Sequence, residues 1–203
     1  MAENTNRSAS GRLAGTVGII ANVALFAMKL MVGTLAGSVS ITADALNNLS
    51  DASSSVVTLL GFKLAEKPAD ADHPYGHARY EYLSGLAVAA MILFIGFELA
   101  KSSVEKIFDP QAVDFTWITA GVLVASMAIK LWLSLFNRRL GKKINSDTLL
   151  ATAADSRNDV IATGAVLLSG LVELWSGWAI DGWMGLAVAV FILFSGVGLA
   201  KDT

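Results

Sequence analysis

The chain has 203 residues, of which 54% are hydrophobic and only 16% charged, and its mean hydropathy is +0.58. Soluble domains carry charge on about a quarter of their residues, so this composition excludes an ordinary water-soluble protein and defines an integral membrane protein in a lipid bilayer. Cysteine is absent, which removes disulfides and thiolate metal sites and leaves oxygen and two histidines for any metal chemistry; the formal charge of −2 says little about partners, and no nucleic-acid partner is expected.

The first twelve residues, MAENTNRSASGR, form a polar tail that runs into an apolar segment with no convincing small-residue cleavage site. They are expected to precede a retained helix and not to be a signal peptide. A helix that crosses a bilayer needs about 20 mostly apolar residues. Six segments meet that requirement: 13–36, 40–64, 82–101, 115–136, 149–174 and 178–200. The expected fold is an all-α membrane protein, a six-transmembrane-helix bundle, with no strong internal repeat. The connections AEKPADADHPYGHARYEY and SSVEKIFDPQAVD combine proline with clustered charge, as turns outside the hydrocarbon do. Trp117, Trp175, Trp178 and Trp183 fall near span ends, where interfacial aromatic anchors belong.

Basic residues orient the chain. With the N-terminus in the cytoplasm, that side receives Arg7, Arg12, Lys63, Lys67, Arg79, Arg138, Arg139, Lys142, Lys143 and Lys201, against Lys101 and Lys106 on the other. The bias predicts that both termini are cytoplasmic. Lys29, Lys130 and Arg157 remain within spans and require partners or water.

Ionisable groups inside a bilayer are costly and mark functional sites by default. In the second span, SITADALNNLSDASSSVVTLLGF, Asn47 and Asp51 are four residues apart and share a helix face. The fifth span repeats the spacing in ATAADSRNDVIATG with Asp155 and Asp159. Asp51 and Asp159 both fall near mid-span, so the two pairs are expected at one depth. One explanation is structural: Lys29, Lys130 and Arg157 neutralise the acids and tie the helices together. A second is a divalent cation, which needs several convergent oxygens to replace its hydration shell. The matched spacing favours the cation, with Asn47, Asp51, Asp155 and Asp159 as a four-ligand cation site. Carboxylate and carbonyl oxygens suit hard ions such as Mn²⁺, although Zn²⁺ and Fe²⁺ also bind carboxylates.

Asp44 lies seven residues before Asp51 on a similar face. It is expected to line an exit path, to cap the helix or to bond Lys29. Ser53, Ser54 and Ser55 are expected to bond back to their own helix or to pack against a neighbour. Arg157 points away from both fifth-span acids and suits another buried acid or a lipid headgroup. The loop PADADHPYGHARYE carries both histidines, His73 and His77, with Asp70 and Asp72 upstream. It is either a solvated turn or a second, peripheral metal site.

These residues resemble the cation diffusion facilitator family over essentially the whole chain. The resemblance rests on GIIANVALFAMKLMVGTLAGSVSITADALNNLSD, on HPYGHARYE, and on DSRNDV followed by DGWMGLAVA. It implies a homodimeric secondary transporter, not an enzyme, that exports divalent metal from the cytoplasm in exchange for protons by alternating access. It also implies that Asn47, Asp51, Asp155 and Asp159 form the transport site, with no prosthetic cofactor. Zinc-transporting members typically place His at the position of Asp155, so the all-oxygen set resembles the manganese-type branch. Asp70, His73 and His77 match ligands of a peripheral zinc site in some members. Members usually continue into a cytoplasmic ferredoxin-like domain, whereas this chain ends at LAKDT. The expected organisation is therefore a tail over 1–12 and a membrane domain over 13–203, with no C-terminal cytoplasmic domain, in a bacterial plasma membrane.

Two other classes compete. An intramembrane aspartyl protease would use a carboxylate dyad as acid and base, but the GxGD step associated with that class is missing. A passive channel would line its pore with rings of charge or carbonyls from several subunits.

Overall fold

A computed structural model describes residues 2–65 and 78–202. Among these residues the only regular secondary structure is helix: α1 (Ala2–Ala36), α2 (Val39–Ala65), α3 (Ala78–Phe108), α4 (Trp117–Ile144), α5 (Asp147–Ser176) and α6 (Asp181–Asp202).

Local chemistry sets the helix ends. α1 stops at Gly37, whose φ of +64° is open to glycine without a Cβ penalty. Gly37 N–H then bonds Thr34 O and Ser38 N–H bonds Gly33 O, a Schellman pairing that turns the chain directly into α2. Thr116 caps α4 by accepting from Thr119 N–H, and Ser146 caps α5 by accepting from Leu149 N–H. These caps place the two starts at Trp117 and Asp147, within two residues of the expected span starts.

Two boundaries differ from expectation. The polar segment 2–12 continues α1 as helix. The SSVEKIF part of the connection expected after the third span is also helical, since no breaker occurs before Pro110 and Lys101 pairs with Glu105 one turn on.

The helices pair most extensively as α1 with α2, α3 with α6, and α4 with α5, while α2 also meets α3, α5 and α6. The α3–α6 seam is antiparallel and close: a Cβ on Gly96 would lie 2.9 Å from Leu193, and one on Gly196 would lie 3.0 Å from Leu93. Without strong hydrophobic drive between helices in lipid, such close approach supplies the packing. Val32, Ile41, Leu99, Leu123, Val166 and Ile192 fill an apolar core near the α1–α2 turn. Large side chains such as Ile20, Phe94, Ile161 and Phe194 stay exposed around the outside, which suits lipid contact.

Among the described residues, four stretches are long and apolar enough to cross a bilayer: Ser10–Ala36, Trp117–Ile144, Leu149–Ser176 and Asp181–Gly198. α2 and α3 include residues whose side chains lie outside the described set. All four tryptophans expected as anchors are exposed.

Candidate metal centre

Three helices deliver the central residues. α2 carries Asn47 and Asp51 one turn apart, and α5 carries Asp159 opposite them. Asn47 Nδ2 donates to Asp159 Oδ1 at 2.9 Å. Lys130 of α4 lies between the acids, with Nζ 2.8 Å from Asp51 Oδ2 and 2.7 Å from Asp159 Oδ2. Asn47, Asp159 and Lys130 are buried, and the Asp51 side chain retains 30% exposure. A buried ammonium needs such compensation, because desolvation of an unpaired charge is prohibitive.

Asp155 is placed differently. It sits one turn before Asp159 on α5 but is exposed, and it makes no hydrogen bond among the described residues. The structure therefore brings Asn47, Asp51 and Asp159 together and leaves Asp155 outside their hydrogen-bond network. Among the described residues no group of three acids or histidines is poised to hold a metal. Ligation by the full quartet requires Asp155 to turn inward and the Asn47 amide to present its carbonyl.

A second polar cluster lies nearer the α1–α2 turn. Lys29 Nζ pairs with Asp44 Oδ2 at 2.8 Å and donates to Thr163 Oγ1 at 2.9 Å, while Thr163 Oγ1 donates to Asp44 Oδ1 at 3.2 Å. These side chains are essentially inaccessible. Of the roles expected for Asp44, the ion pair to Lys29 is the contact present. A third cluster closes the same end: Asp181 accepts from the hydroxyls of Ser38 and Ser40, from Val39 N–H at 2.8 Å, and from Lys106 Nζ at 2.8 Å. Its carboxylate thus caps α2 from another helix.

The serines behave as expected where they are described. Ser53 donates to Leu49 O and Ser55 to Asp51 O, each at 2.8 Å. Arg157 is exposed and has no ion pair among the described residues. Asp70, His73 and His77 lie outside the described residues. Sequence reasoning marked Lys130 as a mid-span charge needing a partner without placing it in the centre, and Thr163 carried no sequence signal beyond its neighbourhood.

Ionisable side chains at the middle of two helices in an apolar, all-helical chain mark a membrane protein with an internal functional site. The chain belongs to the cation efflux, or cation diffusion facilitator, family: residues 15–203 match its transmembrane domain. It is 36% identical over 153 residues to a manganese efflux system protein, MneS, of Bacillus subtilis, covering 75% of this chain and 53% of that protein. It is 32% identical over 174 residues to an uncharacterised transporter of Methanocaldococcus jannaschii, covering 86% of this chain and 62% of that protein. The cation-efflux pump FieF of Shewanella oneidensis is 28% identical over 181 residues, covering 89% of this chain and 61% of the pump.

Proposed function

We propose that this chain is the membrane domain of a secondary transporter that exports a divalent cation, with Mn²⁺ the favoured cargo and Zn²⁺ or Fe²⁺ the alternatives. The observation that carries the reading is the convergence of Asp51 and Asp159 on one ammonium at the middle of the bundle, with Asn47 bonded to Asp159 beside them. Oxygens that hold a cationic group there are chemically suited to hold a hard divalent ion. The name of the Bacillus relative, a manganese efflux protein, supports manganese for this chain, and the ligand chemistry agrees.

In this reading Asp155 completes the ligand set when it turns inward, and the six helices all cross the membrane with both termini cytoplasmic. Metal and protons compete for the same carboxylates, so that binding one releases the other and transport becomes an exchange. Rocking of the helices then exposes the centre to one side at a time. On this reading the buried Lys29–Asp44–Thr163 cluster belongs to the exterior closure, and the half-buried Asp51 is the member of the centre through which the cation enters from the cytoplasmic half. A homodimer is the proposed assembly, and Asp70, His73 and His77 the proposed peripheral zinc ligands.

The test is uptake of Mn²⁺, Zn²⁺, Fe²⁺ and Mg²⁺ into proteoliposomes with and without an imposed proton gradient. Mn²⁺ uptake that rises with the gradient, together with Asp155→His improving Zn²⁺ relative to Mn²⁺, supports the proposal. Flux indifferent to the gradient removes the exchange mechanism.

The Lys130 ion pairs favour a second reading, in which the acids only tie α2, α4 and α5 together. On that account Asp159→Ala lowers stability while the folded fraction transports metal normally.

A further inference from the structure

We propose that Lys130 is the resident counter-ion of the transport site: its ammonium occupies the cation's place between Asp51 and Asp159, and an arriving divalent ion must displace it. The inference rests on the reading of these residues as a cation site.

The geometry is that of substitution. Nζ is 2.8 Å and 2.7 Å from one oxygen each of two carboxylates on different helices, and the side chain is only 1% exposed. A bound metal would approach the same oxygens at about 2.0–2.3 Å, so ammonium and metal cannot both occupy the space between them. A hard divalent ion beside an unmoved ammonium would also meet strong charge repulsion in a poorly hydrated interior.

Lysine is suited to such a role, because its point charge is carried on a flexible four-carbon stem. Helical side chains lean toward the N-terminus of their helix. One turn in that direction on α4, on the same face, lies Ser126, fully buried with a hydroxyl that has no hydrogen-bond partner among the described residues. That oxygen is an available acceptor for the withdrawn ammonium. Lys130 would then offset one of the two negative charges of metal-free Asp51 and Asp159, leaving the other open to a proton, and weaken metal binding enough to permit release.

The test compares Mn²⁺ binding by calorimetry in the native chain, Lys130→Met, Lys130→Arg and Asp159→Ala, each first shown to be folded by thermal unfolding in detergent. Removing the competing charge should tighten binding in Lys130→Met roughly tenfold or more. Lys130→Arg, which keeps a charge, should remain within a few-fold of native. In transport, Lys130→Met should slow net uptake while preserving metal-for-metal exchange, which needs no metal-free return. Native or weaker binding in folded Lys130→Met, with binding still lost in Asp159→Ala, overturns the proposal and leaves the cation site standing. Binding unaffected by Asp159→Ala instead overturns the site reading. Should Lys130→Met fail to fold, ¹⁵N-lysine spectra of the native chain decide the matter, with the Lys130 signal assigned through Lys130→Arg. Saturation with the diamagnetic probe Cd²⁺ should shift the Lys130 ammonium signal, and an unmoved signal refutes displacement.

Discussion

Asn47 and Asp159, 112 residues apart in sequence, are joined by a 2.9 Å hydrogen bond between α2 and α5 inside the helix bundle. The bond fixes the two helices in register at the depth where Lys130 meets both carboxylates. It also shows the amide holding an acid with its N–H group, the orientation opposite to that needed for a metal ligand.

Asn47→Ala removes a donor from a buried carboxylate and should destabilise the protein by about 1–3 kcal/mol. It should also reduce Mn²⁺ uptake beyond what the folded fraction explains. Thermal unfolding in detergent measured alongside uptake separates the two effects, and uptake that merely follows the folded fraction would remove Asn47 from the ligand set.

Lys29→Met leaves Asp44 as an uncompensated charge with 1% exposure. The expected cost is about 3–5 kcal/mol. Lys29→Met combined with Asp44→Asn should recover much of that loss, because both charges leave together. Unfolding midpoints of the two single variants and the double variant form the required cycle.

Asp181→Ala strips α2 of its cross-helix cap and Lys106 of its carboxylate. The loss should be about 2–4 kcal/mol, since several charge-assisted hydrogen bonds go at once. Ser38→Ala, which deletes one of those donors, should cost about 1 kcal/mol. Hydrogen exchange at Val39 and Ser40 should rise in the Asp181 variant, and unchanged protection would show that the cap is not what holds the start of α2.

Gly170→Ala would drive a methyl group into the ring of Phe115. Overpacking of this kind costs about 1–3 kcal/mol. Phe115→Leu combined with Gly170→Ala should restore part of the stability lost by Gly170→Ala, which unfolding midpoints would reveal.

Much of the helical architecture can be read from sequence because lipid imposes one rule: backbone polar groups must be satisfied within each segment, so long apolar stretches become helices. Helix ends beyond the membrane escape that rule, which is why α3 continues through SSVEKIF to Phe108 and α1 begins at Ala2. The i, i+4 spacing likewise exposed Asn47 with Asp51 and Asp155 with Asp159, since each pair lies on a single helix. What spacing along one helix does not encode is rotation and tilt relative to another. The exposure of Asp155, the insertion of Lys130 from α4 and the pairing of Lys29 with Asp44 through Thr163 depend on those rigid-body variables.

The most direct test of the central claim is a crystal structure of the protein soaked in Mn²⁺, with an anomalous-scattering map collected for manganese. The account predicts a peak among Asn47, Asp51 and Asp159 at about 2.0–2.3 Å from their oxygens, with Asp155 turned inward and the Lys130 ammonium withdrawn. An empty map at this position in a protein that transports Mn²⁺, with Lys130 still seated between the two carboxylates, would contradict it.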